Sequence, residues 1–399
     1  MGSKPKSPLF IIFTTVLIDL IGFGMVIPLV AIYGRHYGAS GWQLALLGAI
    51  FSLMQFLFAP FWGNLSDRFG RRPILLISLA GSTVSYFIFG LAPSFAWLFA
   101  SRAFAGGFAA NISAAQAYIA DVTTPQDRAK GMGIIGAAFG IGFTLGPPLG
   151  GIASHSLGLA APGLIAGTLC GLNFILAFFR LPESLSEEIR RTITKRRSFC
   201  PVAPQVMKMA FAHPVLWLLL LTYALWSFAF SNVEQTIALL LQAKLSLTTE
   251  EAGLKTGLLL MWAGILSATI QGGLIRKLVP KFGERKLLLT GLAMNAAGFA
   301  LFPFGPSYAS FYVLIVLISG GSALLTPSLS AMISKSADPS EQGAVMGLSQ
   351  GLASLARALG PFCGLLVFTV DRHYPFLIAG VVALALWMVT LRNRRLNPQ

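Results

Sequence analysis

Apolar residues fill this sequence in stretches of twenty residues or more, and short polar segments divide them. A helix rises about 1.5 Å per residue and a bilayer's hydrocarbon core is about 30 Å thick, so a spanning helix needs about twenty mostly apolar residues. The pattern predicts twelve spans. The first six cover approximately 9–33, 42–63, 73–92, 95–119, 131–152 and 161–179. The second six cover approximately 214–241, 253–275, 287–304, 309–333, 343–368 and 375–391. Most connections are short, so successive helices are expected to run antiparallel. The exception is a polar segment carrying Lys195, Arg196 and Arg197. The expected fold is an all-α membrane protein of two six-helix bundles, residues 1–180 and 214–399, joined by a linker at 181–213.

Composition narrows the class further. Hydrophobic residues make up 55% of the 399 and charged ones 11%, against about 25% charged in soluble domains. Mean hydropathy is +0.74. Such a chain does not cover a water-facing surface, which excludes a cytosolic enzyme; its 31 Phe and 7 Trp exclude disorder. Cys170, Cys200 and Cys363 form neither a disulfide framework nor a metal-like cluster, so no metal and no cofactor is expected.

The net charge of +15 is explained by where the cations fall. Twenty-three of the 29 lie on the side of both termini; only Arg35, Lys244 and Arg372 lie in the opposite loops. The positive-inside rule puts both termini in the cytoplasm, with anionic membrane lipid rather than nucleic acid as the basic surface's partner. No cleavable signal peptide is expected, because 9–33 is too long for an h-region and lacks a small-residue cleavage site.

Three motifs stand out. Between the second and third spans runs Gly63-Asn64-Leu65-Ser66-Asp67-Arg68-Phe69-Gly70-Arg71-Arg72-Pro73, and a worn echo, Gly273 to Lys286, follows the eighth span without an acid matching Asp67. The fifth span holds Gly133, Gly142, Gly146-Pro147 and Gly150-Gly151; its small residues permit close helix approach and its proline a bend. The first span reads Asp19-x-x-Gly22-x-Gly24-x-x-x-Pro28.

The loop motif resembles the signature of the major facilitator superfamily, and the glycine-rich fifth span is similar to the antiporter motif of its drug:proton antiporters. The first span, with Ala117 to Asp121 and Asp127-Arg128-Ala129, is similar to tetracycline-efflux pumps. The resemblance implies a fold of two rocking bundles and a cytoplasmic latch built from Gly63, Asp67, Arg68, Gly70, Arg71, Arg72, Asp121 and Arg128. Asp67 would act on the start of the eleventh helix near Gly343, and Arg71 would meet Asp121. Arg72 reads equally as a positive-inside anchor. Tetracycline pumps carry a histidine in the eighth helix and an acid in the ninth. Gln271 stands in the eighth span here and the ninth has no acid, so tetracycline itself is not the expected cargo.

Charges inside the spans are few: Asp19 and Glu234 among the acids; Arg102, Lys255 and Arg357 among the cations. Each costs at least about 2.5–3.5 kcal/mol at the bilayer centre, so they are expected to face a wet cavity. Asp19, about 15 Å into its helix, is the expected proton-coupling carboxylate. Arg102, in Leu98-x-x-x-Arg102-x-x-x-Gly106, is expected to govern proton release from a nearby acid. Glu234 is either a second proton site or an outer gate residue. Arg357 cannot lose its proton and requires an acid partner or an anionic ligand. Lys255, near a helix end, snorkels. Candidate substrate-binding residues are Asn111, Gln116, Tyr223, Gln235, Gln271 and Gln350, with Trp226, Phe228 and Trp262 available to stack a flat organic ligand.

The expected function is a secondary transporter: a monomeric, proton-coupled antiporter exporting an amphipathic small molecule from a bacterial inner membrane. A symporter or uniporter of a sugar or other metabolite is the alternative within transport. A non-transporting receptor or assembly factor is the alternative outside it. No nucleophile–base pair supports an enzyme, and no G-x4-G-K-[ST] loop supports ATP coupling.

Overall fold

The computed structural model describes residues 8–109, 111–123, 128–185, 204–336 and 342–393. Helix dominates them, with no strand among the described residues. The first expected span is a pair, α1 (Pro8–Val26) and α2 (Val30–His36), joined by a 3-10 turn at Ile27–Leu29. Pro28 lies within that turn, where its missing N–H breaks the α-helical ladder. Next come α3 (Gly41–Phe69), α4 (Arg71–Gly90), α5 (Phe95–Phe108), α6 (Asn111–Val122), α7 (Arg128–Leu157) and α8 (Ala161–Arg180). The expected continuous fourth helix is therefore two. Ala109 ends α5 with ψ 52°, immediately after the weak helix formers Gly106 and Gly107.

The end of the expected linker is ordered as α9 (Pro204–Ala212), which leads into α10 (Pro214–Leu245). Then follows α11 (Thr249–Thr269), continued through a π turn at Ile270–Leu274 into α12 (Ile275–Phe282). The last four are α13 (Glu284–Leu301), α14 (Tyr308–Lys335), α15 (Gln342–Phe368) and α16 (Tyr374–Arg392). Capping boxes fix two starts. Ser40 N–H donates to Gln43 Oε1 at 2.8 Å before α3, and Thr248 N–H to Glu251 Oε2 at 2.9 Å before α11.

Among the described residues, ten helical segments are long and apolar enough to cross a membrane. The fourth and fifth expected spans correspond to α5 with α6 and to α7, which are not among those ten; α5 and α6 are each too short alone.

Helices pack mainly within their own half of the chain: α1 on α7 and α8, α4 on α8, α3 on α5; then α10 on α15, α13 on α14 and α16, α11 on α14. Two broad contacts join the halves, α7 with α11 and α3 with α15. Both are tight toward the end carrying the loops at 37–40 and 370–373. A Cβ on Gly48 of α3 would lie 3.0 Å from Pro361 of α15, and one on Gly151 of α7 2.6 Å from the Gly253 carbonyl of α11. The same faces are open toward the other end. At Gly63 of α3, Gly140 of α7 and Gly347 of α15, nothing lies within 4 Å of a built Cβ. Among the described residues, the halves are sealed at one end and parted at these positions toward the other.

Candidate functional site

Asp19 is held by the seams of α1. Along one edge of that helix, a Cβ on Gly142 of α7 would sit 2.7 Å from the Leu20 Cβ, and one on Gly146 2.7 Å from the Gly24 Cα; Gly150 abuts the Met25 carbonyl. No larger residue fits there, so the spaced glycines of α7 bring two backbones together. On another edge, Asn173 of α8 donates to the Thr15 carbonyl at 2.9 Å. Between these edges Asp19 is 7% exposed. The Cys170 thiol of α8 approaches its Oδ1 at 3.8 Å and the Leu79 carbonyl of α4 at 3.6 Å. One turn beyond Asp19, Gly22 leaves room for the Tyr86 ring of α4, 3.4 Å from where its Cβ would be. Tyr86 is buried and within electrostatic range of both Asp19 and Arg102.

Arg102 of α5 is 4% exposed, and its guanidinium lies over the Phe51 ring of α3 at 4.8 Å. Phe51 continues into a row of half-buried rings: Phe23 of α1 at 5.1 Å, and Phe143 of α7 at 5.9 Å from Phe23. These rings come from three helices of the first half, and Phe51 gives the buried cation an aromatic face.

The second half carries another charge pair. Glu234 on α10 and Arg357 on α15 are both half-buried and interact electrostatically. Ser354 Oγ accepts from Arg357 Nη2 at 2.9 Å. Gln350, Ser354 and Arg357 share one face of α15 at helical spacing, while the exposed Leu359 and Leu366 occupy the opposite face. Four residues beyond Arg357 on the polar face, Pro361 meets α3. That face is therefore turned toward the first half. On α10, Tyr223, Phe230 and Glu234 likewise share a face, with Leu225, 42% exposed, opposite. Tyr223 and Phe230 flank Trp226 at ring distances of 6.2 and 5.4 Å.

At the parted end a polar cluster ties α4, α6 and the residues after α8. Arg71 Nε donates to Asp121 Oδ2 at 3.0 Å and its Nη1 to Ser66 Oγ at 3.1 Å; Ser184 Oγ donates to the same Asp121 oxygen at 3.0 Å. Glu183 accepts the N–H groups of Arg71 and Arg72 at 2.9 and 3.2 Å. This carboxylate satisfies free donors at the start of α4 and opposes the positive helix end. Gly70 sits at φ 105° between α3 and α4, and Gly283, its expected counterpart, at φ 76° between α12 and α13. Each reverses the chain in a conformation that favours glycine.

The sequence model of the Major Facilitator Superfamily matches residues 12–282 and 274–398. The chain belongs to the major facilitator superfamily. It is 34% identical to the tetracycline resistance protein, class C, of Escherichia coli over 392 residues, 97% of this chain and 96% of that one. It is 30% identical to multidrug resistance protein 2 of Bacillus subtilis (strain 168), over 97% of this chain and 96% of that one. The crystal structure of the human organic anion transporter MFSD10 (TETRAN) superposes with a TM-score of 0.73 at 28% identity, covering 96% of this chain and 98% of that one. The protein is a multi-pass integral membrane transporter and not an enzyme.

Placed on this superfamily member, the expected site residues fall into distinct groups. Asp19 and Arg102 lie inside the first half, each within electrostatic range of Tyr86. Arg357 and Gln350 lie on the face of α15 turned to the first half, Gln350 being exposed, and Glu234 lies on the face of α10 that carries Tyr223 and Phe230. Tyr223 is 8% exposed and packs with Trp226, whose Nε1 donates to Asn295 Oδ1 at 2.7 Å. Gln235 is buried and Gln271 is exposed in the π turn. Phe228 is half-buried. Trp262 lies away from the charges, in an apolar groove with Tyr312, Val313, Val316 and Leu317. Arg72 Nη2 donates to the Phe178 carbonyl at 2.7 Å, and Arg68 is exposed. The Lys255 ammonium lies over the Tyr308 ring at 5.4 Å. The side chains of Asp67, Asn111, Gln116 and Arg128, and the residues around Gly343, lie outside those described.

Sequence reasoning missed Tyr86, Phe51, Cys170, Glu183 and Asn295. Glu183 left one signal, an acid on a side otherwise crowded with cations. The other four carry nothing in their local pattern that separates them from packing residues.

Proposed function

We propose that this transporter is a proton-coupled antiporter that exports an amphipathic organic compound by alternating access. In this reading twelve spans form two six-helix bundles, residues 1–180 and 214–399, with 181–213 as the linker and both termini in the cytoplasm of a bacterial inner membrane. The sealed end then faces outward and the parted end inward.

One observation carries the proposal: Asp19, a carboxylate kept 7% exposed, lies within electrostatic range of Tyr86, as Arg102 does, on a helix held against the glycine face of α7. A charge in such a place is costly unless it has work to do. Proton binding neutralises Asp19 and weakens its tie to the Arg102 region; release restores it. The change in charge alters how α1 sits against α4 and α8, and α1 packs on α7, which makes one of the two broad contacts with the second half. Arg357 and Glu234, opposite charges within electrostatic range of each other, adjust as the bundles rock. The rings of Phe23, Phe51 and Phe143 supply an apolar wall for cargo. Gly63, Gly70, Arg71 and Asp121 belong to the inner latch, with Asp67 and Arg128 assigned to it from the motif.

The tetracycline and multidrug resistance relatives support a drug-like cargo. The test is uptake of a panel of amphipathic compounds into proteoliposomes with an imposed pH gradient. Antiport predicts accumulation when the lumen is acid, abolished by a protonophore. Accumulation driven by an acid exterior would mean symport, and indifference to the gradient uniport.

A further inference from the structure

Arg357 offers more hydrogen bonds than the protein uses. A guanidinium has five N–H donors and stays charged at any working pH. Here Ser354 Oγ takes one of them at 2.9 Å, and no carboxylate among the described residues lies within 4.0 Å of the group. Glu234 is near enough to be felt but not near enough to pair. The cation nevertheless sits in the transmembrane part of α15, on the face turned to the cleft, and stays partly exposed there. The exposed Gln350 stands two turns further toward the parted end on the same face. Beyond it, Gly347 faces open space. The guanidinium is thus reachable from the parted end, partly satisfied, and close to the aromatic face of α10 formed by Tyr223, Trp226 and Phe230.

We propose that Arg357 receives an anionic group, a carboxylate or its equivalent, on the transported compound, whose flat apolar part lies against the ring of Phe230. A planar guanidinium suits that task, because two of its N–H groups can meet both oxygens of one carboxylate. Glu234 is then the intramolecular competitor for Arg357 when the cleft is empty. This deepens the transport reading by naming the charge of the cargo, and it rests on the cleft being the cargo path.

The test uses full-length protein in lipid nanodiscs and a matched probe pair, 2-naphthylacetate and 2-naphthylacetamide, with binding measured by equilibrium dialysis at fixed pH. Wild type is expected to bind the acid at least ten-fold more tightly than the amide. Arg357→Gln should bring the two to parity while leaving amide binding unchanged, which shows that the variant is folded. Arg357→Lys should keep part of the preference. Glu234→Gln should tighten acid binding several-fold without moving the amide. Equal binding of the two probes by wild type, no binding of the acid, or an Arg357→Gln variant that keeps the preference would overturn the proposal. Because no proton gradient is applied, the acid-to-amide ratio is read independently of proton coupling, so failure here and failure of antiport are separately visible.

Discussion

Lys335, the last residue of α14, donates to the carboxylate of Glu284, the first residue of α13. In the first half, Arg71, the first residue of α4, pairs with Asp121 near the end of α6. The two pairs join corresponding helix ends with their charges exchanged. In the second half the signs suit the helix dipoles, with an acid at an N-terminus and a base at a C-terminus. In the first half they oppose them, and Glu183 compensates by accepting the N–H groups of Arg71 and Arg72.

The two pairs should therefore respond unequally to truncation. The Lys335 side chain is 69% exposed, so Lys335→Ala should cost less than about 1 kcal/mol. Asp121→Asn removes the partner of a mostly buried arginine and should cost about 1–3 kcal/mol. Thermal unfolding in detergent checks this by the larger drop in midpoint for Asp121→Asn.

The glycines of α7 should be intolerant of added bulk on the face toward α1. Gly150→Val collides with the Met25 carbonyl, and overpacking of this kind costs about 1–3 kcal/mol. Transport should fall sharply in protein that still reaches the membrane. Gly347→Ala, which meets nothing within 4 Å, should not lower the unfolding midpoint, since alanine favours a helix interior over glycine.

Asn295 is a fully used node: it accepts from Trp226 Nε1 at 2.7 Å and from Ser322 Oγ at 3.2 Å, and donates to the Ile318 carbonyl at 2.9 Å. Asn295→Leu strands a buried indole N–H and should destabilise by about 1–3 kcal/mol. A lowered unfolding midpoint, with a shift in tryptophan emission, is the expected result.

The Arg102 guanidinium lies over the Phe51 ring at 4.8 Å, and lysine does not reproduce a planar, delocalised cation. Arg102→Lys should lose most gradient-driven transport even though the charge is kept. Initial uptake rates in proteoliposomes measure this; wild-type rates would show that charge alone suffices.

Much of this architecture was legible in the sequence, because a bilayer enforces simple rules. Twenty apolar residues must be helical, and the paired Gly70 and Gly283 turns follow from motifs that need a positive φ. The Arg71–Asp121 contact came from the family likeness, not from spacing alone. The break between α5 and α6 was missed because residues 95–119 are mostly apolar, and hydropathy does not report where a helix interrupts. Asp19, Arg102, Glu234 and Arg357 stood out as charges in oil. Their neighbours Tyr86, Phe51 and Cys170 did not, since aromatic and small apolar residues are ordinary in spanning helices. Which helix faces which is set by packing across more than fifty residues of chain, as between Asp19 and Tyr86, and no local pattern carries it.

The central claim is that Asp19 couples protons to cargo. It is tested most directly by comparing wild type and Asp19→Asn in proteoliposomes, using a compound that wild type accumulates. Gradient-driven accumulation and exchange between equal internal and external pools are measured in the same preparation. The account predicts that Asp19→Asn loses accumulation and keeps exchange, because cargo binding and rocking survive while the proton's hold on them is gone. Accumulation at the wild-type level in Asp19→Asn would contradict it.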